Sequence, residues 1–396
     1  MPSALASLDL ADRMSRLGTE TAFEVLARAK ALEAQGRDII HLEIGEPDFN
    51  TPPNIVEAAV KALRDGYTHY GPAAGMPQAR EVVADYVART RGISCDREEV
   101  VIVPGGKPTM FYSILALVNA GDEVIYPNPG FPIYESMINF VGGVPVSCPI
   151  REENKFALDP QDVISRITDK TKLVILNSPA NPTGGVTGKA ELEQIVFELK
   201  KHPDIWILSD EIYSRMLYDG EQHYSPMTDP EIRDRIILLD GWSKTYAMTG
   251  WRMGFGVMRP DLAAQVAKLM VNSNSCTASF SQIAGMEALS GDQSAVDAML
   301  MKFDGRRKRI VELINKIPGL SCHLPKGAFY VMPSIKETGL SAKVAQDRLL
   351  DEVGVSCLAG TSFGAEGEGY IRFSYANSIE NIELAMERVH GFFANF

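Results

Sequence analysis

The chain is short of several things, and each shortage removes a class of function. Its five cysteines, Cys95, Cys148, Cys276, Cys322 and Cys357, are scattered and never fall in a C-x-x-C spacing. That pattern argues against a disulfide framework and a zinc site, and it reads as reduced, buried thiols. The six histidines, His41, His69, His202, His223, His323 and His390, are dispersed, with none at metal-ligand spacing. No apolar run is long enough to span a membrane. The stretch Met1–Gly18 carries Asp9 and Asp12 and lacks the apolar run of a leader peptide, so the expected location is cytoplasmic. Basic charge is in deficit. A formal net charge of −12 leaves no broad basic face for nucleic acid or an anionic membrane, although it allows a small basic pocket. There is no internal repeat and no low-complexity segment.

What is present is an ordinary globular composition, 45% hydrophobic and 23% charged, over 396 residues. That length exceeds what one core usually fills, so two domains are expected. Seven short apolar runs read as strands: Val100–Val103, Glu123–Tyr126, Val144–Ser147, Leu173–Leu176, Ile205–Leu208, Ile236–Leu239 and Met253–Val257. Helical patterns lie between them, among them Pro108–Asn119, Ala190–Lys201 and Leu262–Asn272. Continuous apolar strands alternating with helices predict an α/β domain whose mostly parallel sheet is covered on both faces. After about residue 290 the pattern changes. A charged helix over Ser294–Lys316 leads to strand-like runs Gly327–Met332, Val353–Cys357 and Tyr370–Ser374, predicting a smaller α+β domain. The division expected is an arm over 1–50 with one helix, Thr21–Gln35, packing on the small domain; a large domain over 51–290; and the small domain over 291–396. The run Arg306-Arg-Lys-Arg309 reads as a solvated helix face.

Four turns just after predicted strands carry unusual residues, at the edge where open parallel sheets bind ligands. Gly105-Gly106-Lys107 opens a helix at Pro108, a place for an anion or simply a strand-to-helix turn. Asn181, in Asn177-Ser-Pro-Ala-Asn-Pro-Thr-Gly184, is a rigidly held amide that either donates to a ligand oxygen or shapes the turn. Asp210 ends the apolar run Ile205–Leu208 as a partly desolvated carboxylate that wants a cation, or as an ordinary helix cap. Tyr213 is expected one helical turn beyond it. Ser243-Lys244 follows Ile236–Leu239, and a lysine placed there would be desolvated into a nucleophilic amine suited to a Schiff base. Arg252 follows in Met248-Thr-Gly-Trp-Arg252.

Taken together, Asn181-Pro-Thr-Gly184, Ser209-Asp-Glu-Ile-Tyr213 and Ser243-Lys-Thr-Tyr-Ala-Met-Thr-Gly-Trp-Arg252 resemble the aspartate aminotransferase family of class I aminotransferases. These are pyridoxal 5′-phosphate (PLP) enzymes of fold type I. The resemblance runs from Gly45-Glu-Pro-Asp-Phe49 to Ile371-Arg-Phe-Ser-Tyr375. It implies that Lys244 carries PLP and moves the substrate proton, and that Asp210 pairs with the pyridine nitrogen. Asn181 and Tyr213 would bond the phenolic oxygen, while Gly106, Lys107, Ser243 and Arg252 would cradle the phosphate. Phe131 stands where many relatives stack a tryptophan or tyrosine on the ring. Arg372 and Gly45 would hold the substrate α-carboxylate, and Phe23 would supply an apolar wall. Tyr70 matches a tyrosine that reaches the neighbouring subunit's phosphate, which implies a homodimer with shared active sites; it also reads as a core or turn tyrosine. The implied reaction is amino transfer between an L-amino acid (aspartate, alanine or a larger neutral one) and a 2-oxo acid, with 2-oxoglutarate expected. C–S lysis on the same fold is the alternative, because fold and cofactor do not fix the reaction. Lys107 reads either as a contact for a distal carboxylate or as charge beside the phosphate.

Overall fold

The computed structural model describes residues 8–394; the opening part of the Met1–Gly18 stretch lies outside the described residues. In chain order the first elements are α1 (Thr21–Glu33), β1 (Ile40–His41), α2 (Pro53–Arg64), α3 (Pro77–Arg91), β2 (Val100–Val103), α4 (Lys107–Leu117), β3 (Glu123–Asn128) and α5 (Ile133–Val141). They continue with β4 (Val144–Pro149), α6 (Pro160–Ile164), β5 (Thr171–Asn177), α7 (Lys189–Leu199), β6 (Trp206–Asp210), β7 (Ile236–Gly241), β8 (Gly254–Val257), α8 (Pro260–Val271) and α9 (Ser279–Ser290). The last part holds α10 (Ser294–Ile314), β9 (Tyr330–Val331), α11 (Ala342–Val353), β10 (Val355–Ser356), β11 (Leu358–Ala359), β12 (Ile371–Ser374) and α12 (Ile379–Phe393).

All seven strands expected in the large sheet form it, in the order β2-β8-β7-β6-β5-β3-β4. The pairs among β4, β3, β5, β6 and β7 are parallel, and β8 runs antiparallel to β7 and to β2. Alternation along each strand divides the core in two. Val101, Val103, Leu173, Ile175, Leu208 and Leu239 face one layer with Met110, Tyr134, Met137 and Val266. Val100, Ile102, Val174, Leu176, Ile207 and Leu238 face the other, with Val83, Val87, Ile195 and Ala284. Both faces are therefore buried, which is why these strands read as unbroken apolar runs. Proline in the first turn of α2, α3, α4 and α8 starts each helix where its missing N–H costs nothing.

A third core gathers Phe303, Ile310, Ile314, Phe329, Val331, Leu349, Phe373, Ile382 and Val389, together with Ile40 and Leu42. The predicted strand Val353–Cys357 is divided here. β10 pairs in parallel with β1, whereas β11 pairs antiparallel with β12, so the chain leaves one small sheet for another within a few residues.

Three expectations are corrected. The Arg306–Arg309 run is not a uniformly solvated face. Arg306 forms a bidentate pair with Asp48 at 2.7 and 2.8 Å. Arg307, with no exposed surface, binds Asp219, Asp304 and the Pro325 carbonyl. Two of these cations face inward because carboxylates meet them there, and only Lys308 and Arg309 keep to the outer side, on Asp304 and Glu383. Tyr213 is not on a helix: residues 211–216 form an irregular turn. The five cysteines are all free, as expected, but only Cys148 and Cys357 are fully buried.

Candidate active site

The chemistry-bearing side chains meet where β5, β6 and β7 end. Asn177 closes β5, Asp210 closes β6, and Ser243 and Lys244 follow β7. A cavity of about 540 Å³ opens there. Its lining brings together Lys244, Asp210, Asn181, Tyr213, Ser243, Arg252, Gly106, Lys107, Phe131, Gly45, Phe23 and Arg372. Tyr70 is the one predicted site residue that lies elsewhere, its side chain almost wholly exposed at 91%.

Lys244 projects into the cavity and its amine donates to the Gly45 carbonyl at 2.6 Å. Burial, with help from the nearby Arg372 and Lys107 cations, outweighs Glu46 and Glu20 and brings the Lys244 amine down to about 8. Asp210 is buried, and burial pushes its carboxyl up to about 6. Its donors are neutral: the Tyr134 hydroxyl at 2.5 Å and the Ile212 N–H at 3.2 Å. No cation of the described residues pairs with it.

Arg372, on β12, is the complementary case. It is 3% exposed, donates to Asn181 Oδ1 at 3.0 Å and to the Glu43 carbonyl, and its Nε–H has no partner among the described residues. Its planar face lies 4.5 Å from the Tyr330 ring centre and 4.7 Å from that of Phe363. No carboxylate among the described residues forms a salt bridge with it, and burial lowers its proton affinity. Such a cation is costly to bury unless an anion arrives.

In the same lining, Gly106 stands at the start of α4 beside Gly105, whose φ is +88°. A Cβ on Gly105 would come within 2.1 Å of the Arg252 guanidinium, so a side chain there would block the place that Arg252 and the helix start share. Arg252 itself holds a left-handed backbone, φ +55°, a conformation that costs a non-glycine residue about 1–2 kcal/mol. Its Nη1 donates to the Thr249 carbonyl at 2.7 Å. Lys107, in contrast, is already engaged: its ammonium pairs with Glu20 and lies 5.4 Å from the Phe131 ring centre.

Several lining residues escaped the sequence reading. Tyr134 donates to Asp210, and Tyr330 exchanges a 2.7 Å hydrogen bond with Tyr213. Tyr330 also bounds Gly45, where an added Cβ would lie 2.1 Å from its hydroxyl. The Asn177 amide donates to the Asp210 carbonyl at 3.2 Å, and its oxygen accepts from the Asn181 N–H at 3.1 Å. Tyr134, in the first turn of α5, lies three residues after Phe131 and packs edge-on against its ring; Glu20 left no signal, because its partner is 87 residues away.

The family model described as aminotransferase class I and II matches residues 37–389. This chain belongs to that family. It is similar to the aspartate aminotransferase of Pyrococcus horikoshii, 40% identical over 384 residues, which cover 96% of each chain. The aromatic-amino-acid aminotransferase 2 of Thermococcus litoralis is 37% identical over 383 residues, 96% of this chain and 97% of its own. Among solved structures, the aspartate aminotransferase from Thermus thermophilus with maleate aligns with a TM-score of 0.93 at 35% identity, over 97% of this chain and 99% of that one. The fold is accordingly the PLP fold type I, and the aminotransferase depends on PLP. The donor set suits that cofactor. A buried carboxylate with no cation answers a pyridine N–H, and the Gly105–Arg252 hollow at a helix start answers a phosphate.

Proposed function

We propose that this aminotransferase works with Lys244 as the residue that carries PLP and that Arg372 receives the α-carboxylate of the amino acid or 2-oxo acid. One observation carries the reading: a buried amine on Lys244, an Asp210 carboxylate with no cation among the described residues and an Arg372 guanidinium with no carboxylate among them all face the same cavity. PLP, when bound, supplies an electron sink for the bond broken at the substrate α-carbon. Asp210, ionised beside a pyridine N–H, would keep that sink protonated, with Tyr134 fixing its orientation. Lys244, with proton affinity lowered by burial, would take the proton from the α-carbon and return it on the cofactor side. Asn181 and Tyr213 would hold the phenolic oxygen, Phe131 would cover the ring, and Gly106, Ser243 and Arg252 would seat the phosphate. Asn181 would also steady Arg372, and Gly45 would approach the same carboxylate through its backbone.

The substrate pair we favour is glutamate with 2-oxoglutarate on one side, and aspartate or a larger neutral amino acid on the other. Support comes from relatives named for aspartate and for aromatic amino acids. We further read the chain as a cytoplasmic homodimer built of the arm, large and small domains, with Tyr70, exposed in one subunit, completing the phosphate site of its neighbour. No helix of the described residues is long and apolar enough to cross a membrane.

The test is the absorbance spectrum of the PLP-loaded protein before and after single L-amino acids are added without an oxo acid. The yellow colour of Lys244-bound cofactor should bleach, and Lys244→Ala should lose covalent attachment. Yellow that persists while pyruvate or ammonia accumulates would defeat amino transfer.

A further inference from the structure

Four cations line the cavity: Lys244, Arg252, Arg372 and Lys107. On the reading above, on which this inference rests, the first three are committed to cofactor and α-carboxylate, which leaves Lys107 for a substrate side chain. Lys107 is not free. Glu20, the residue before α1, lines the same cavity and places its carboxylate on the Lys107 ammonium. We propose that Glu20 is a specificity-determining residue, a built-in counter-charge that stands in for the distal carboxylate of an acidic substrate and must leave before one binds.

The physical argument rests on where the pair sits. Side-chain exposure is 45% for Lys107 and 19% for Glu20, so the pair is at the mouth of the cavity rather than in the core. A displaced Glu20 can return to water at small cost, so acidic ligands are admitted, though at a penalty. When a neutral side chain fills the mouth instead, Glu20 stays and Lys107 is covered as half of a neutral pair. The apolar surfaces of Phe131 and Phe23 beside it then have no bare charge to desolvate. Without Glu20 the balance reverses: an acidic ligand finds a free ammonium, and a neutral ligand must bury one unpaired.

The test uses the PLP-loaded full chain and two non-reacting carboxylates, maleate with two acid groups and 3-phenylpropanoate with one, titrated calorimetrically. Glu20→Gln should tighten maleate about fivefold and weaken 3-phenylpropanoate by about twofold or more, shifts in keeping with a part-exposed ion pair. In steady state the kcat/KM ratio for aspartate over phenylalanine should rise correspondingly. On a Lys107→Met background the same Glu20 change should tighten maleate clearly less than it does with Lys107 in place. Shifts of both ligands in one direction, or no tightening of maleate, would overturn the proposal. Arg372→Ala separates the two levels: it should weaken both carboxylates alike, and if it weakens neither, the assignment of the cavity fails whatever Glu20 does.

Discussion

Asp210 and Glu211 are neighbours in sequence and both are buried, yet they live in opposite electrostatic worlds. Alternation at the end of β6 sends them to opposite sides of the sheet edge. Glu211 turns away from the cavity into a closed set of partners: Arg91 at 3.0 Å, His223 at 2.7 Å, Ser209 at 2.9 Å and Ser225 at 2.6 Å. Burial alone would raise its proton affinity, but His223 and Arg91 together more than reverse that and hold it down to about 2. Asp240 shares Arg91 at 2.6 Å, so the set carries two carboxylates against one guanidinium and a histidine. Asp210 turns toward the cavity, receives neutral donors alone and is pushed up to about 6. A buried carboxylate that its own chain neutralises is a structural element. One left without a cation at an open cavity marks where an outside cation is awaited.

The sharpest way to break this comparison is to neutralise each carboxylate in turn. Asp210→Asn should lower kcat by about a hundredfold to ten-thousandfold, the range for losing a group that acts on the reacting system. In the cofactor-free protein, however, its melting temperature at pH 7 should stay level or rise. The sign follows from linkage: a raised carboxyl binds its proton more tightly when folded, so wild-type stability falls as pH climbs from the ordinary carboxylate range through 6. Glu211→Gln should do the reverse. It takes the carboxylate away from His223, leaves Arg91 to Asp240 alone, and should cost about 3–5 kcal/mol of stability by chemical denaturation, without a selective effect on substrate binding. Because the Glu211 carboxyl is depressed, the wild-type advantage over Glu211→Gln should be full above pH 4.5 and vanish as pH falls toward 2. If Asp210→Asn destabilises and Glu211→Gln does not, the distinction is wrong.

Arg372 extends the comparison to cations, since Arg91 is closed by Glu211 and Asp240 while Arg372 is open. Arg372→Ala should weaken amino-acid binding by roughly 2–5 kcal/mol, read as a rise in the half-saturating concentration. A smaller effect sharpens the role of Tyr134. Tyr134→Phe removes a neutral donor from Asp210 at a cost near 1 kcal/mol, and the acid limb of the kcat profile should move to higher pH. An unmoved limb would show that the hydroxyl does not act on Asp210.

Much of the sheet was legible in the chain because strands buried on both faces must be apolar throughout. The residues that follow those strands, Lys244, Asp210 and Asn181, were legible because a polar group at such an edge is costly without a purpose. Residues outside that logic were not. Arg306 and Arg307 sit in a charged run that on a lone helix would face water, and only the presence of Asp48 and Asp219 on other segments turns them inward. Tyr330 lay within an expected strand, where an aromatic reads as core, and its hydroxyl contact with Tyr213 depends on two segments meeting. Tyr213 itself was placed on a helix by spacing, whereas the chain turns irregularly there and brings its ring edge-on to Phe329 and to Tyr330 of β9.

The sequence by itself determined the α/β pattern, the strand-end positions of the reactive groups and the family motifs, because each is local: period, turn chemistry and residue type within a few positions. Tertiary structure alone decided which buried charges are paired. Arg91 and Arg372, Glu211 and Asp210 are alike as residues, and only through-space distances between remote segments separate the satisfied member of each pair from the one left open to a ligand. The same holds for Glu20 and Lys107, whose pairing across the cavity mouth is a matter of long-range geometry and Coulomb attraction that no local pattern records.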